Sequence, residues 1–108
     1  MAYSKGEVWW VEFPLEEDAT EYITRPAIIA DVCLPDVMVI KVTKSLPRTD
    51  DDFDVKLRNY RYARLRQPST ARVSKFIVIN EGQIGERIGK LDRGDYRRVF
   101  AALDKLIS

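Results

Sequence analysis

The chain has 108 residues, of which 45% are apolar and 32% are charged, and its formal net charge is +1. This is the composition of an ordinary soluble protein, and a chain of this length buries roughly 65% of its unfolded surface as one domain. No apolar run approaches the ~20 residues that cross a bilayer, and the first six residues lack the apolar core of a signal peptide. We therefore expect a single cytoplasmic domain, residues 1–108, that makes no contact with a membrane.

The counts of cysteine and histidine indicate whether a metal site or a cysteine nucleophile is expected. The chain has no histidine and one cysteine, Cys33. Zinc and other transition-metal sites rely mainly on these two residue types, so we predict neither a metal ion nor another cofactor. Cys33 lies in an apolar hairpin and has no histidine to act as its base, so we interpret it as a small buried core residue.

The first predicted element is a strand over residues 7–13, E-V-W-W-V-E-F, which is apolar on both alternating faces. Such a strand is covered by the core on one side and by another element or a second subunit on the other. Trp9 and Trp10 are interpreted as core and interface residues and not as base-stacking groups. Pro14 ends the strand, and the acidic residues 15–24 predict a mobile loop that could act as a lid.

The central element is an antiparallel hairpin. Two runs rich in Ile and Val, residues 26–30 and 37–42, are joined by a turn around Leu34, Pro35 and Asp36. Arg25 directly precedes the first run, where Pro26 disfavours helical geometry, and Thr43 directly ends the second. The hairpin is thus predicted to present a fixed cation and a hydroxyl group from neighbouring strand ends, which suits a phosphate.

The rest of the chain predicts short strands and one helix. The elements in order are a loop at 44–54, a short strand at 53–57, a basic and aromatic stretch at 59–66, a strand at 71–79, a turn at 81–85, a short strand at 88–91 and an amphipathic helix at 92–108. Asp92 is placed to cap the helix, and Asp95 strengthens its start. The predicted fold class is mainly β, a small antiparallel barrel closed by a C-terminal α-helix.

A basic stretch without any acidic residue extends from Lys56 to Lys75. Its arginines alternate with Tyr60 and Tyr62 in the segment from Arg58 to Arg66. Two interpretations stay open for this segment. It is either a solvated surface whose tyrosines pack inward, or a stacking and phosphate track for single-stranded RNA.

Several motifs follow one another along the chain: G-E-V-W-W-V-E-F, T-R-P-A-I-I-A, V-I-K-V-T-K-S, and R-L-R-Q-P-S-T-A-R-V-S-K followed by I-G-K-L-D. Their joint order, over nearly the whole chain, resembles the PemK/MazF family of toxins from type II toxin–antitoxin systems. The resemblance implies an SH3-like barrel, shared with the gyrase poison CcdB, and a homodimer. It also implies a metal-independent endoribonuclease (mRNA interferase) that cuts single-stranded RNA at short sequences, and a cognate antitoxin whose C-terminal peptide blocks the RNA site.

The resemblance also implies roles for particular residues. Arg25 matches the essential arginine of the family and Thr43 its threonine, so these two are the predicted catalytic residues. The predicted RNA-binding residues are Arg72, Ser74, Lys75, Arg64, Arg66 and Lys44. Some relatives carry an Asp where this chain has Ser74, and some use a His, which this chain lacks. The general base therefore stays open among Arg25, Arg72, a distant carboxylate such as Glu21, and water.

Two alternative functions are weighed against the endoribonuclease. One is a gyrase-poisoning toxin on the same fold that acts through its C-terminal residues, D-K-L-I-S. The other is a noncatalytic SH3-like RNA-binding module. Incubation with a long single-stranded RNA in EDTA, followed by mapping of the ends, separates the three.

Overall fold

The computed structural model describes residues 3–15 and 17–108; Glu16, in the predicted acidic loop, lies outside the described residues. The elements in chain order are β1 (Glu7–Pro14), β2 (Tyr22–Cys33), β3 (Asp36–Thr43), β4 (Asp54–Leu57), β5 (Ser69–Asn80), a 3₁₀ turn (Glu81–Gln83), β6 (Ile84–Lys90) and α1 (Arg93–Ile107). The strands form one antiparallel sheet in the order β4-β5-β3-β2-β1-β6. A mainly β fold with a C-terminal helix is confirmed.

The predicted closure of this sheet into a barrel is wrong. β4 and β6 are the two edges of the sheet and do not pair with each other. β4 is only four residues long, and β6 follows β1 with two register shifts. Register shifts also interrupt the pairing of β3 with β2 and with β5. Such bulges bend a sheet strongly, but the short and irregular edge strands leave it open.

The sheet carries a buried apolar cluster on each face. One cluster, which includes Val8, Ile28 and Val73, is covered by Val99 and Leu103 of α1. The other is built from β1, β2, β3 and β5 and includes Trp9, Val11, Phe13, Ile29 and Val39. The chain therefore buries Val8, Trp9, Val11 and Phe13 of β1 by itself, whereas Trp10 stays exposed. Of the two covers predicted for the second face of β1, other elements of the same chain account for its buried residues, and the second subunit stays a prediction.

Cys33 is exposed and not buried as predicted. It is the last residue of β2, where it pairs with Asp36 across the Leu34 and Pro35 turn, so its side chain lies beyond the apolar clusters. Strand boundaries also differ from the prediction, most at two strand starts. β2 begins at Tyr22, inside the predicted loop, and β6 begins at Ile84, inside the predicted turn.

Residues 58–66 form a series of turns that two contacts hold in place. The buried carboxylate of Asp95 accepts hydrogen bonds from the backbone N–H groups of Arg58 and Asn59, at 2.9 Å each. On the other side, β6 approaches the segment at Gly89, where a Cβ atom would lie 2.5 Å from the carbonyl oxygen of Ala63. Only glycine permits this approach, which brings the following residue, Arg64, beside β6.

Candidate active site

Arg25 and Thr43 lie on neighbouring strands at the same level of the sheet. Ala27 of β2 pairs with Lys41 of β3, and the same register continued by two residues places Arg25 opposite Thr43. Both side chains line two cavities, which we name the Arg64 cavity (about 370 Å³) and the Arg72 cavity (about 350 Å³). Arg25 and Thr43 thus form the junction of one groove.

The Arg64 cavity gathers cations from three parts of the chain. Lys44, Arg64 and Arg66 line it together with Arg25. Arg64 adopts a left-handed backbone conformation with φ of 65°, which is uncommon for a residue other than glycine. Strained backbone of this kind is concentrated at functional sites, because the surrounding structure must hold it in place.

Trp10 forms part of the wall of the Arg64 cavity, and its side chain is 42% exposed. Trp10 is therefore not a core residue, and its interpretation as an interface residue stays a prediction. Trp9, in contrast, is buried, and its indole Nε1 donates a hydrogen bond to Glu7. Alternation along β1 explains the difference, since neighbouring side chains point to opposite faces of the sheet.

The Arg72 cavity is still more cationic. Lys41, Arg48, Arg72 and Lys75 line it in addition to Arg25 and Thr43. The ammonium of Lys41 lies 5.3 Å from the centroid of the Phe13 ring, within the range of a cation–π contact. Neither cavity is lined by a carboxylate or an imidazole from the described residues.

Two carboxylates outside the cavity hold Arg48 in position. The Arg48 Nε and backbone N–H groups both donate to Asp54 Oδ2 at 2.9 Å, and Nη2 donates to Asp54 Oδ1 at 3.0 Å and to Asp51 Oδ2 at 2.7 Å. The Asp54 side chain is fully buried, and Arg72 Nη1 lies 3.8 Å from Oδ2. Burial alone raises the pKa of Asp54, but the hydrogen bonds from Arg48 outweigh burial, so this pKa lies below its usual value.

Ser74 lines neither cavity. Its hydroxyl donates a hydrogen bond of 2.6 Å to Asp51 Oδ2, and this bond is the main cause that lowers the pKa of Asp51. Ser74 therefore belongs to the network behind Arg48, and the structure does not bring it to the groove. The other five residues predicted to bind RNA all line the groove: Lys44, Arg64 and Arg66 in one cavity, and Arg72 and Lys75 in the other.

The basic stretch divides at Tyr62. Arg58 lines a separate cavity beside α1, and the guanidinium of Arg61 lies over the ring of Tyr60 at 5.6 Å. Tyr60 is half-buried against the core, whereas Tyr62 is 57% exposed. The inward-packing interpretation thus holds for Tyr60, whereas the RNA-track interpretation of the part from Tyr62 to Arg66 stays a prediction.

Sequence reasoning missed Lys41, Arg48 and Trp10 as groove residues. Lys41 could have been found, because it lies two residues before Thr43 in a strand and so shares its face. Arg48 lies in a loop without periodicity, and no local signal marks it. The ion pairs that hold Arg48 depend on the tertiary approach of Asp54.

Within the described ranges, no helix is long and apolar enough to cross a membrane. In the same part of the chain, no three His, Cys, Asp or Glu residues are grouped so that they could hold a metal ion. What the structure does bring together is a set of cations and an exposed indole around one groove on a small β fold. That combination is typical of the class of proteins that bind single-stranded nucleic acid.

The comparison with protein families gives a more specific result. Residues 4–107 match the model of the PemK-like, MazF-like toxin of type II toxin–antitoxin systems. The chain therefore belongs to this family of toxins. A search of curated protein sequences returned no match.

Solved structures show the same fold at low sequence identity. An endoribonuclease in complex with its cognate antitoxin from Mycobacterial species is 14% identical, with a TM-score of 0.74 over 96% of this chain and 93% of that one. The MazE-MazF complex (Form-II) from Deinococcus radiodurans is 14% identical, with a TM-score of 0.73 over 100% and 97%. The Mycobacterium tuberculosis toxin MazF-mt6 is 18% identical, with a TM-score of 0.69 over 92% and 93%.

Proposed function

We propose that this toxin is a metal-independent, sequence-specific endoribonuclease that cleaves single-stranded RNA in the groove centred on Arg25 and Thr43. The observation that carries the proposal is the position of these two residues at the junction of two cationic cavities. The family and the fold shared with proteins described as endoribonucleases support the same activity.

The proposed reaction is an attack of the RNA on itself. The 2′-oxygen bonds to the adjacent phosphorus and gives up its proton, the bond from phosphorus to the 5′-oxygen breaks, and that oxygen takes up a proton. The products are a 2′,3′-cyclic phosphate and a 5′-hydroxyl. The protein then has to align the strand and stabilise the charge of the phosphorane.

Arg25 is placed for the second of these tasks. A guanidinium donates several hydrogen bonds in a fixed plane and stays charged, so it stabilises the phosphorane but is a poor base. Thr43 orients the 2′-hydroxyl or a phosphate oxygen. Because Asp51 and Asp54 are already bonded to Arg48 and have lowered pKa values, neither suits the role of base. We assign proton removal to water, so the cleavage rate should lack a steep acidic limb.

The two cavities are proposed to hold the nucleotides on either side of the scissile phosphate. Lys44, Arg64 and Arg66 contact phosphates on one side, and Arg72 and Lys75 on the other. The exposed indole of Trp10 stacks on a base in the Arg64 cavity. Arg48, fixed by its two carboxylates, adds a positioned cation to the Arg72 cavity.

The proposal includes two protein partners and a compartment. A cognate antitoxin that covers the groove is supported by the family and by relatives that were solved as complexes with antitoxins. The homodimer is supported by the family resemblance, and sedimentation at micromolar concentration tests it. The cytoplasm is the compartment in which such a toxin meets RNA.

The deciding experiment incubates the protein with a long single-stranded RNA in EDTA and maps both ends of the products. We expect cyclic-phosphate and 5′-hydroxyl ends at one short sequence. Arg25→Ala should retain the fold by circular dichroism and lose about a hundredfold or more in rate, the cost of removing one positioned donor to the transition state. Arg97→Ala is the control, since Arg97 is an exposed helix residue outside both cavities.

Other results would contradict the proposal. Binding without new ends would indicate the noncatalytic module, and inhibition of gyrase without RNA cleavage would indicate the gyrase poison. Full activity in a folded Arg25→Ala variant would remove Arg25 from the catalytic role.

A further inference from the structure

A third basic surface lies next to the Arg64 cavity and has no role in the reaction described above. It surrounds a cavity of about 630 Å³. We name it the β6 patch; its charged and aromatic lining residues are Lys5, Glu7, Tyr62, Arg87, Lys90, Arg93 and Tyr96. Its volume lies within the range of pockets that hold small ligands.

The β6 patch begins where the Arg64 cavity ends. Gly89 of β6 approaches the backbone of Ala63 closely. The residues on one side of this contact, Ile88 and Arg64, line the Arg64 cavity. The residues on its other side, Lys90 and Tyr62, line the β6 patch. β6 and the turn at 58–66 thus run side by side from the Arg64 cavity to the β6 patch. Along β6 this step, from Ile88 to Lys90, is two residues or about 7 Å.

The charges and rings of the patch match a nucleic-acid strand. Among the four cations, only Arg87 forms an ion pair in the part of the chain that the structure describes, with Glu7 at 3.1 Å. Lys5, Lys90 and Arg93 therefore keep their charge available to a ligand. Tyr62 and Tyr96 are 57% and 36% exposed. Exposed aromatic rings beside unpaired cations are what binds single-stranded nucleic acid without sequence preference.

We infer that the β6 patch is a subsite for the RNA strand beyond the cleavage site, on the side of the Arg64 cavity. Lys90 and Arg93 contact phosphates there, and Tyr62 stacks on a base. The inference rests on the proposed endoribonuclease function, because it continues the same substrate. A second copy of this chain fits the patch less well, since a twofold contact would oppose like charges.

The test compares a short RNA that covers only the cleavage sequence with RNAs extended at the 5′ or the 3′ end. Binding is measured by fluorescence anisotropy with a 2′-deoxyribose at the scissile position. Only one of the two extensions, 5′ or 3′, should reach the β6 patch. The double variant Lys90→Gln and Arg93→Gln should bind that extended RNA about 25-fold more weakly than the wild type at 0.1 M salt. The slope of log affinity against log salt concentration should fall by about 1.4 units. Tyr62→Ala should lose about tenfold on the same RNA. Both variants should bind and cleave the short RNA like the wild type.

The control is the double variant Arg97→Gln and Lys105→Gln, which removes the same charge from helix residues outside the groove and the patch. Equal losses on short and extended RNA, or equal losses in the control, would overturn the inference. So would an altered sedimentation coefficient of the patch variants, because the patch would then be a subunit contact. The binding measurements do not need cleavage, so a protein that cuts no RNA refutes the proposed function without deciding the patch.

Discussion

Gly89→Ala is the sharpest test of how β6 positions Arg64. An alanine Cβ would lie 2.5 Å from the carbonyl oxygen and 2.9 Å from the carbonyl carbon of Ala63. Both atoms belong to the backbone, so the turn at 58–66 has to move away from β6. Overpacking of this kind costs about 1–3 kcal/mol, which corresponds to a fall of roughly 5–20 °C in Tm for a domain of this size.

Gly85 offers a matched control on the same strand. A Cβ at Gly85 would lie 3.5 Å from the Trp10 carbonyl oxygen and 3.6 Å from its Cβ, which are ordinary contacts. Thermal unfolding should therefore separate Gly89→Ala from Gly85→Ala, and only the former should cleave RNA more slowly. If the loss in rate acts through Arg64, Gly89→Ala should add little to Arg64→Ala in single-turnover cleavage. Equal Tm values and rates for the two glycine variants would refute the close approach.

Three further predictions concern the carboxylates around the site. Asp95→Ala leaves the backbone N–H groups of Arg58 and Asn59 without their buried acceptor, so urea unfolding should show a loss of about 2–4 kcal/mol; a loss below 1 kcal/mol would show that other groups replace Asp95. The pKa of Asp54 is lowered in the folded state, so its contribution to stability is complete above the unfolded value of about 3.9 and disappears as pH falls through the folded value. Asp54→Asn should therefore destabilise the protein at pH 7 and flatten the acid side of a plot of Tm against pH, and a variant with an unchanged acid side would contradict the Arg48 pairing. Ser74→Asp should slow cleavage and not accelerate it. The new carboxylate would lie outside the groove, where it cannot act as a base, and it would repel Asp51, which holds Arg48. Single-turnover cleavage rates of Ser74→Asp and Ser74→Ala decide this.

The sequence predicted those features that depend on local pattern. Runs rich in β-branched and aromatic residues located β1, β3 and β5, and the spacing of apolar residues located α1 with Asp92 as its cap. The hairpin predicted that Arg25 and Thr43 would meet, because strand register is set by neighbouring residues. No such local rule predicted which residues of the basic stretch reach the groove. Arg58 and Arg64 line different cavities, although only a few residues of turns separate them.

The features that the sequence did not predict depend on where strands end and on how strands and loops pack together. The exposure of Cys33 follows from its place at a strand end, and the sheet is open because its edge strands β4 and β6, of which β4 has four residues, do not pair. The pairing of Arg48 with Asp54 joins a loop to an edge strand, although both residues lie close in the chain. A run of mixed charges in a loop gives no indication of which carboxylate will be buried.

The two apolar clusters, one on each face of the sheet, have a consequence for how this protein can change. The apolar strand positions fill these two clusters, so the groups that meet the groove come from the remaining strand positions, such as Arg25, Lys41 and Arg72, and from the segments at 44–54 and 58–66. Residues such as Lys44 and Arg66 can therefore be exchanged without altering the packed interior. Within these segments, Ala63, Leu65 and the buried Asp54 serve folding, so libraries confined to exposed groove positions such as Lys44 and Arg66 should yield folded variants with new sequence preferences.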